Sequence, residues 1–142
     1  MAQDTLKTSI AKKGFVRQTA RKMRRTANLV RKMKAGDAVT SLKFMPYAAA
    51  EPVRKLIESA IANAEANHGF ANGSDLYISQ ICVDDGPVFK RWRAASKGRA
   101  ASILKRTSKL SVVLSELKPA DYARHIAATS PRNRKNNKKE GK

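Results

Sequence analysis

An α+β domain is the fold class the sequence predicts. Three helices come first, two strands follow, and the strands continue outward as a long protruding β-hairpin, with basic extensions at both termini. Three observations lead there. Apolar residues recur at spacings of three and four through much of the first half. Two β-branched, apolar stretches, LYISQICV (76–83) and KLSVVLSEL (109–117), follow in the second half. Between them, residues 86–109 hold eight bases, one Trp, one Phe and no acid, a segment unable to bury its own charges.

In order along the chain, residues 1–14 read as a basic extension ahead of a single domain spanning 15–117. The first helix is expected from Thr19 to about Lys34: Thr19 can cap it, Met23, Ala27, Val30 and Met33 make one apolar stripe, and Gly36 ends it. The rest of its circumference carries Arg21, Lys22, Arg24, Arg25, Arg31 and Lys32, and Arg24 and Arg31, seven apart, share a face. A solvated face is the ordinary explanation for such residues. Here almost no acid is available for i,i+4 pairs, so phosphate contact is expected of part of the helix and of Arg17 just before it.

Asp37 can cap a short second helix that reaches Phe44 and is interrupted by Pro46. A longer third helix begins between Tyr47 and Pro52 and runs to Asn67, with Val53, Leu56, Ile57, Ala60, Ile61 and Ala64 on its core stripe. His68 and Gly69 read as its end, Gly69 supplying a left-handed turn. Asn72 and Gly73 mark a turn into the first strand, where Cys82 is expected as a small core residue. In the second strand Leu110, Val112 and Leu114 alternate with Ser111 and Ser115.

Strands that pair at their bases can go on pairing outward. Residues 83–93 and 99–110 are therefore the expected arms of one hairpin, spanning about 83–110, with its tip at 94–98 and Lys97-Gly98 as turn chemistry. At ~3.3 Å per residue, roughly eleven residues per arm would reach about 35 Å. A two-stranded ribbon alone is marginal in water, and eight like charges on it repel. An anionic scaffold would relieve both problems: Lys90, Arg91, Arg93, Lys97, Arg99, Lys105, Arg106 and Lys109 can meet phosphates, while Phe89 and Trp92 can stack on exposed bases or wedge into RNA grooves. A merely flexible basic loop is the alternative, against which stand Val88, Ile103 and Leu104.

Charge distribution supports the polyanion. The 142 residues carry 30 Lys and Arg against 11 Asp and Glu, a formal charge of +19. Residues 37–85 hold three bases and seven acids, so the excess sits in 1–36, 86–109 and 118–142. The last of these stretches is polar and without period, and is expected to order only on a partner. A single cysteine precludes an internal disulfide and fits a reducing compartment; neither a signal-peptide run nor eighteen adjoining apolar residues are present. The expectation is a cytoplasmic protein without a membrane segment.

Catalysis finds little to work with. No phosphate-binding loop, H-E-x-x-H or G-x-S-x-G occurs, so no cofactor, small-molecule substrate or enzymatic activity is expected. Asp84 and Asp85 could hold a metal, but in a strand-end DDGP they more simply start a turn or face the basic ribbon. With His68 and His125 the only histidines, no zinc spacing exists and no metal site is expected.

Four stretches carry a further reading: TARKMRRTANLVR (19–31), ESAIANAEANHG (58–69), VDDGPVFKR (83–91) and KGRAASILKRTSKLSVVL (97–114). Through them, over roughly residues 15–116, the chain resembles the bacterial or plastid type of ribosomal large-subunit protein twenty-two. The resemblance implies a compact body of three helices on a small antiparallel sheet, seated on the outer surface of the large subunit near the peptide exit. It implies a hairpin that threads inward among several domains of the large-subunit rRNA and links them during assembly. The tip would help line the nascent-polypeptide tunnel opposite large-subunit protein four, close to where macrolides act. The tunnel-lining set implied is Phe89, Lys90, Arg91, Arg93, Ala94, Ala95, Ser96 and Lys97. Phe89, Lys90 and Arg91 match the segment whose alteration affects macrolide response; Lys97, Gly98 and Arg99 match the returning basic turn. The implied setting is a cytoplasmic ribosome, with the plastid stroma left open.

The chain departs from the family at two places. A Pro-Arg pair common at the tip is Ala94-Ala95 here, and the Arg-Gly that usually closes the first helix is Arg31-Lys32. A rival of another class is a DNA-architectural protein with a basic β-arm. It would want a dimer seam and a Pro or apolar tip, and the sequence has Ala-Ala-Ser-Lys-Gly.

Overall fold

The computed structural model describes residues 7–116 together with Ala120, Asp121 and Arg124. Its elements run β1 (Thr8–Val16), α1 (Ala20–Val30), α2 (Ala35–Lys43), α3 (Ala50–His68), β2 (Tyr77–Ala94) and β3 (Ala100–Ser115), with 3-10 turns at Gly73–Asp75 and Ser96–Gly98. The strands make one antiparallel sheet in the order β1-β3-β2. Helix α3 lies on β1 and β3, α1 on β2, and α2 on α3. Apart from the three residues named, the tail at 118–142 lies outside the described residues.

The apolar stripes read from the sequence become the core. Met23, Val30, Val53, Ile57, Ile78, Val112 and Leu114 are fully buried between the helices and one face of the sheet. Helix α3 ends as its sequence predicts, with Gly69 at φ 65° and its N–H bonded to the Ala64 carbonyl. Pro52 sits in its first turn, where a missing N–H costs nothing.

Strand β1 is an element without a sequence-level forecast. The basic stretch 1–14, read as an extension, contributes residues 8–14 to the sheet. Its inward residues before the final Val16 are Ser9 and Ala11, too small to show as apolar alternation, and the space they leave brings α3 close: the Ser9 hydroxyl donates to the Ala60 carbonyl at 2.7 Å.

Helix α1 ends earlier than expected. It stops at Val30, not near Lys34, and Gly36 lies inside α2 rather than terminating α1. Lys32 holds a left-handed φ of 69°. The chain turns there because it has edge partners to reach: Ile78 N–H donates to the Met33 carbonyl at 3.0 Å and Ala35 N–H to the Leu76 carbonyl at 2.8 Å. Thr19 does occupy the N-cap position, but its hydroxyl makes no capping bond. Cys82 is only half buried, in contrast to its expected place in the core.

Candidate nucleic-acid interface

Strands β2 and β3 pair continuously from the sheet out to Ala94↔Ala100, so the hairpin is a direct extension of the core strands. Its root carries a bulge. Asp85 pairs with Ser108 and Val88 with Arg106, leaving Gly86 and Pro87 opposite Thr107 alone. The Thr107 hydroxyl, on a buried residue, donates to the Pro87 carbonyl at 2.6 Å. A Cβ on Gly86 would lie 2.4 Å from that hydroxyl oxygen and 3.2 Å from the Thr107 backbone carbon, so only glycine fits. The bulge aims the finger.

Support from the body ends there. Thr107 and Ser108 are buried and Phe89 is half buried, edge-on to Phe15 at 5.7 Å, whereas every residue from 90 to 106 is exposed. The unsupported arms are therefore shorter than the eleven residues expected: five residues lead from Lys90 to Ala94, or ~17 Å at ~3.3 Å each, before the tip. At the tip, Ala95 N–H donates to the Arg99 carbonyl at 2.9 Å, and Lys97 and Gly98 take φ of 56° and 69°.

The register answers the expected charge repulsion. Lys90 pairs with Leu104, Arg91 with Ile103, Arg93 with Ala101, Lys105 with Phe89 and Arg106 with Val88, so within the finger no base stands directly opposite another. Directly opposed residues share a face, and faces alternate along a strand. One face thus bears Lys90, Trp92 and Arg106, the other Arg91, Arg93 and Lys105. Both are cationic. The Arg91 guanidinium also lies over the Phe89 ring at 5.6 Å. Among the described residues none of the eight bases at 86–109 makes a salt bridge; Lys109 stands across the ladder from Asp84.

The α1 bases divide. Arg24 Nε donates to the Val83 carbonyl at 3.1 Å, its guanidinium pairs with Asp85 at 3.3 Å, and Arg31 donates to the Ile81 carbonyl at 3.3 Å. The face these two share is thus turned to the outer edge of β2, which has no strand neighbour among the described residues, and they satisfy its carbonyls. Arg21, Lys22 and Lys32 are exposed without an ion pair among the described residues. Arg25 stacks on Tyr47, 5.1 Å from the ring centroid, and reaches its hydroxyl at 3.3 Å.

Where the start of α1, the 46–49 connection and the hairpin root meet, they enclose a cleft of about 680 Å³. Arg17, Lys22, Arg25, Lys105 and Arg106 reach it, bringing residues far apart in sequence onto one wall. Phe89 lines it too, and so stands at the root, away from the tip formed by Ala94, Ala95, Ser96 and Lys97. Sequence reasoning had no use for Tyr47 or Phe15 here; an aromatic after Pro46 in an interhelical connection was the available signal for the first.

A small body that holds out an unneutralised ribbon, cationic on both faces, defines a class: nucleic-acid-binding proteins that act by structure and charge. Comparison narrows it. Residues 11–115 match the family model described as Ribosomal protein L22p/L17e. The large ribosomal subunit protein uL22 of Cutibacterium acnes is 55% identical over 112 residues, covering 79% of this chain and 72% of that protein. Those of Bifidobacterium longum and a Synechococcus species are 53% and 44% identical, covering 70% and 77% of this chain and 87% of each relative. The chain belongs to the Ribosomal protein L22p/L17e family.

Proposed function

We propose that this chain is a non-enzymatic constituent of the large ribosomal subunit, in which body and finger bind large-subunit rRNA and tie separate RNA segments together during assembly. The observation that carries this is the two-faced charge of the finger. A ribbon resting on one phosphate wall needs bases on one side; Lys90 and Arg106 on one face, with Arg91, Arg93 and Lys105 on the other, suit a ribbon enclosed by RNA. Trp92, exposed on the finger, is free to stack on a base. In the finer reading the tip, from Arg93 through Lys97, lines the nascent-polypeptide passage opposite large-subunit protein four, with Lys90 and Arg91 behind it and Phe89 anchoring the root. Changing Lys90 and Arg91 then alters macrolide response and nascent-chain stalling. The binding experiment is the salt dependence of affinity for large-subunit rRNA fragments. Each neutralised phosphate contributes about 0.7 to 0.9 to the log–log slope, so a slope of about −5 or steeper is expected. A slope worth one or two contacts overturns the reading.

A further inference from the structure

We propose that the cleft between α1, the 46–49 connection and the hairpin root is a receptor for a single nucleotide turned out of the bound RNA, with Tyr47 as the platform for its base. The proposal rests on the rRNA-binding reading above and adds a site to it. Three features point to this ligand. The cleft is concave and, at about 680 Å³, lies within the ~300–1,000 Å³ usual for sites that enclose a small ligand, room for one nucleotide but not for a duplex. Among the described residues its charged side chains are all cations, with no acid among them, which suits a nucleotide phosphate and the strand on either side of it. Its apolar surface comes from Pro46, Tyr47, Phe89 and Leu104, the kind of floor that receives a base rather than an ion.

Tyr47 is prepared for stacking. It is 43% exposed, yet the ring is held by Arg25, whose guanidinium sits over it and bonds its hydroxyl. A ring fixed in advance loses little rotamer freedom on binding. Aromatic and guanidinium planes are the surfaces on which RNA-binding proteins receive unstacked bases. The source of the nucleotide is RNA rather than a free mononucleotide because Lys105 and Arg106 continue from the cleft into the finger and Arg17 and Lys22 into α1, a cationic track longer than one phosphate.

The test uses the full chain and two RNA probes, a perfectly paired duplex and the same duplex carrying one bulged 2-aminopurine. The bulged RNA is expected to bind about tenfold more tightly, with its fluorescence quenched on binding. Tyr47→Ala should abolish the preference and the quenching, Tyr47→Phe should keep both, and Ala48→Trp, which fills the cleft without removing a cation, should abolish both. In all three variants the salt slope stays near wild type. Equal binding of the two RNAs at a steep salt slope overturns the cleft proposal and leaves the rRNA reading standing; a shallow salt slope removes both. Displacement of the bulged RNA by micromolar adenosine monophosphate, or full preference retained by Tyr47→Ala, also overturns it.

Discussion

The body and the finger share two continuous strands, yet they are held in place by opposite means. Below the Gly86-Pro87 bulge, β2 and β3 are covered by helices and contribute Ile78, Ile81, Leu110, Val112 and Leu114 to a dry core. Beyond it the same ladder continues, but among the described residues no apolar layer covers residues 90–106, and Trp92 is 67% exposed. Hydrogen-bond pairing alone thus extends a strand geometrically, while packing makes it stable. The finger has direction from the bulge and local consistency from a register that separates its charges; a rigid surrounding has to come from outside the chain.

The widest test of that contrast substitutes one large residue in each region. Ile57→Ala, in the fully buried stripe of α3, should cost about 2–5 kcal/mol in denaturant unfolding. Trp92→Ala should change unfolding by no more than about 0.5 kcal/mol while weakening rRNA binding. If Trp92→Ala destabilised the free protein as strongly as Ile57→Ala, the division between regions would be wrong. Gly86→Ala probes the boundary itself: its Cβ meets the Thr107 hydroxyl and presses on the Thr107 backbone, so a loss of about 1–3 kcal/mol is expected, with amide-shift changes by NMR spreading from the bulge into both arms.

A smaller effect, of opposite sign, is expected at the end of α1. Lys32 holds φ 69°, which suits glycine, and the family departure noted at this position is a Lys in place of Gly. Lys32→Gly should raise stability by roughly 0.5–1 kcal/mol, read as an increase in Tm, without altering the finger. Smallest is a pH effect. The Lys55 ammonium, hydrogen-bonded to Glu51 at 2.7 Å, holds that carboxyl below its ordinary 4.5. A folded-state value lowered in this way contributes stability above the unfolded-state value and loses it as pH falls through the folded one. Lys55→Met should return the Glu51 titration toward the ordinary value. Residues 86–109 contain no acid, so mild acidification should shift body resonances and leave the finger unmoved.

Legibility in the sequence followed the same division. The α3 stripe, the alternation in β3 and the Gly69 turn are local signals that packing merely uses, and they stand in the structure except that Ile61 is only partly buried and Ser115, beside buried Leu114, is buried as well. Strand β1 left no trace because the inward positions of its first half are Ser9 and Ala11, whose small size is meaningful only once Ala60 of α3 is known to lie near Ser9. The early end of α1 was hidden because a lysine sits in a glycine conformation. Among the candidate contacts, composition marked the bases but could not divide them. That Arg24 and Arg31 serve the open edge of β2, and that Phe89 anchors the root, follow from strand order and from the bulge, both of which are long-range properties.

Strand order also bears on how the chain is made. Thr8 at the start of β1 lies opposite Ser115 at the end of β3, and β3 is the middle strand. During synthesis β1, the helices and β2 all emerge before β3, the strand that pairs with both β1 and β2, so the sheet closes only once β3 has left the polymerising machinery. Until then β1 and α3 lack the strand they pack against while strongly basic segments are already exposed to solvent. Folding and first capture by an anionic partner are thereby placed in direct kinetic competition, and the newborn chain is exposed to mispairing for longer than a helical bundle of equal length.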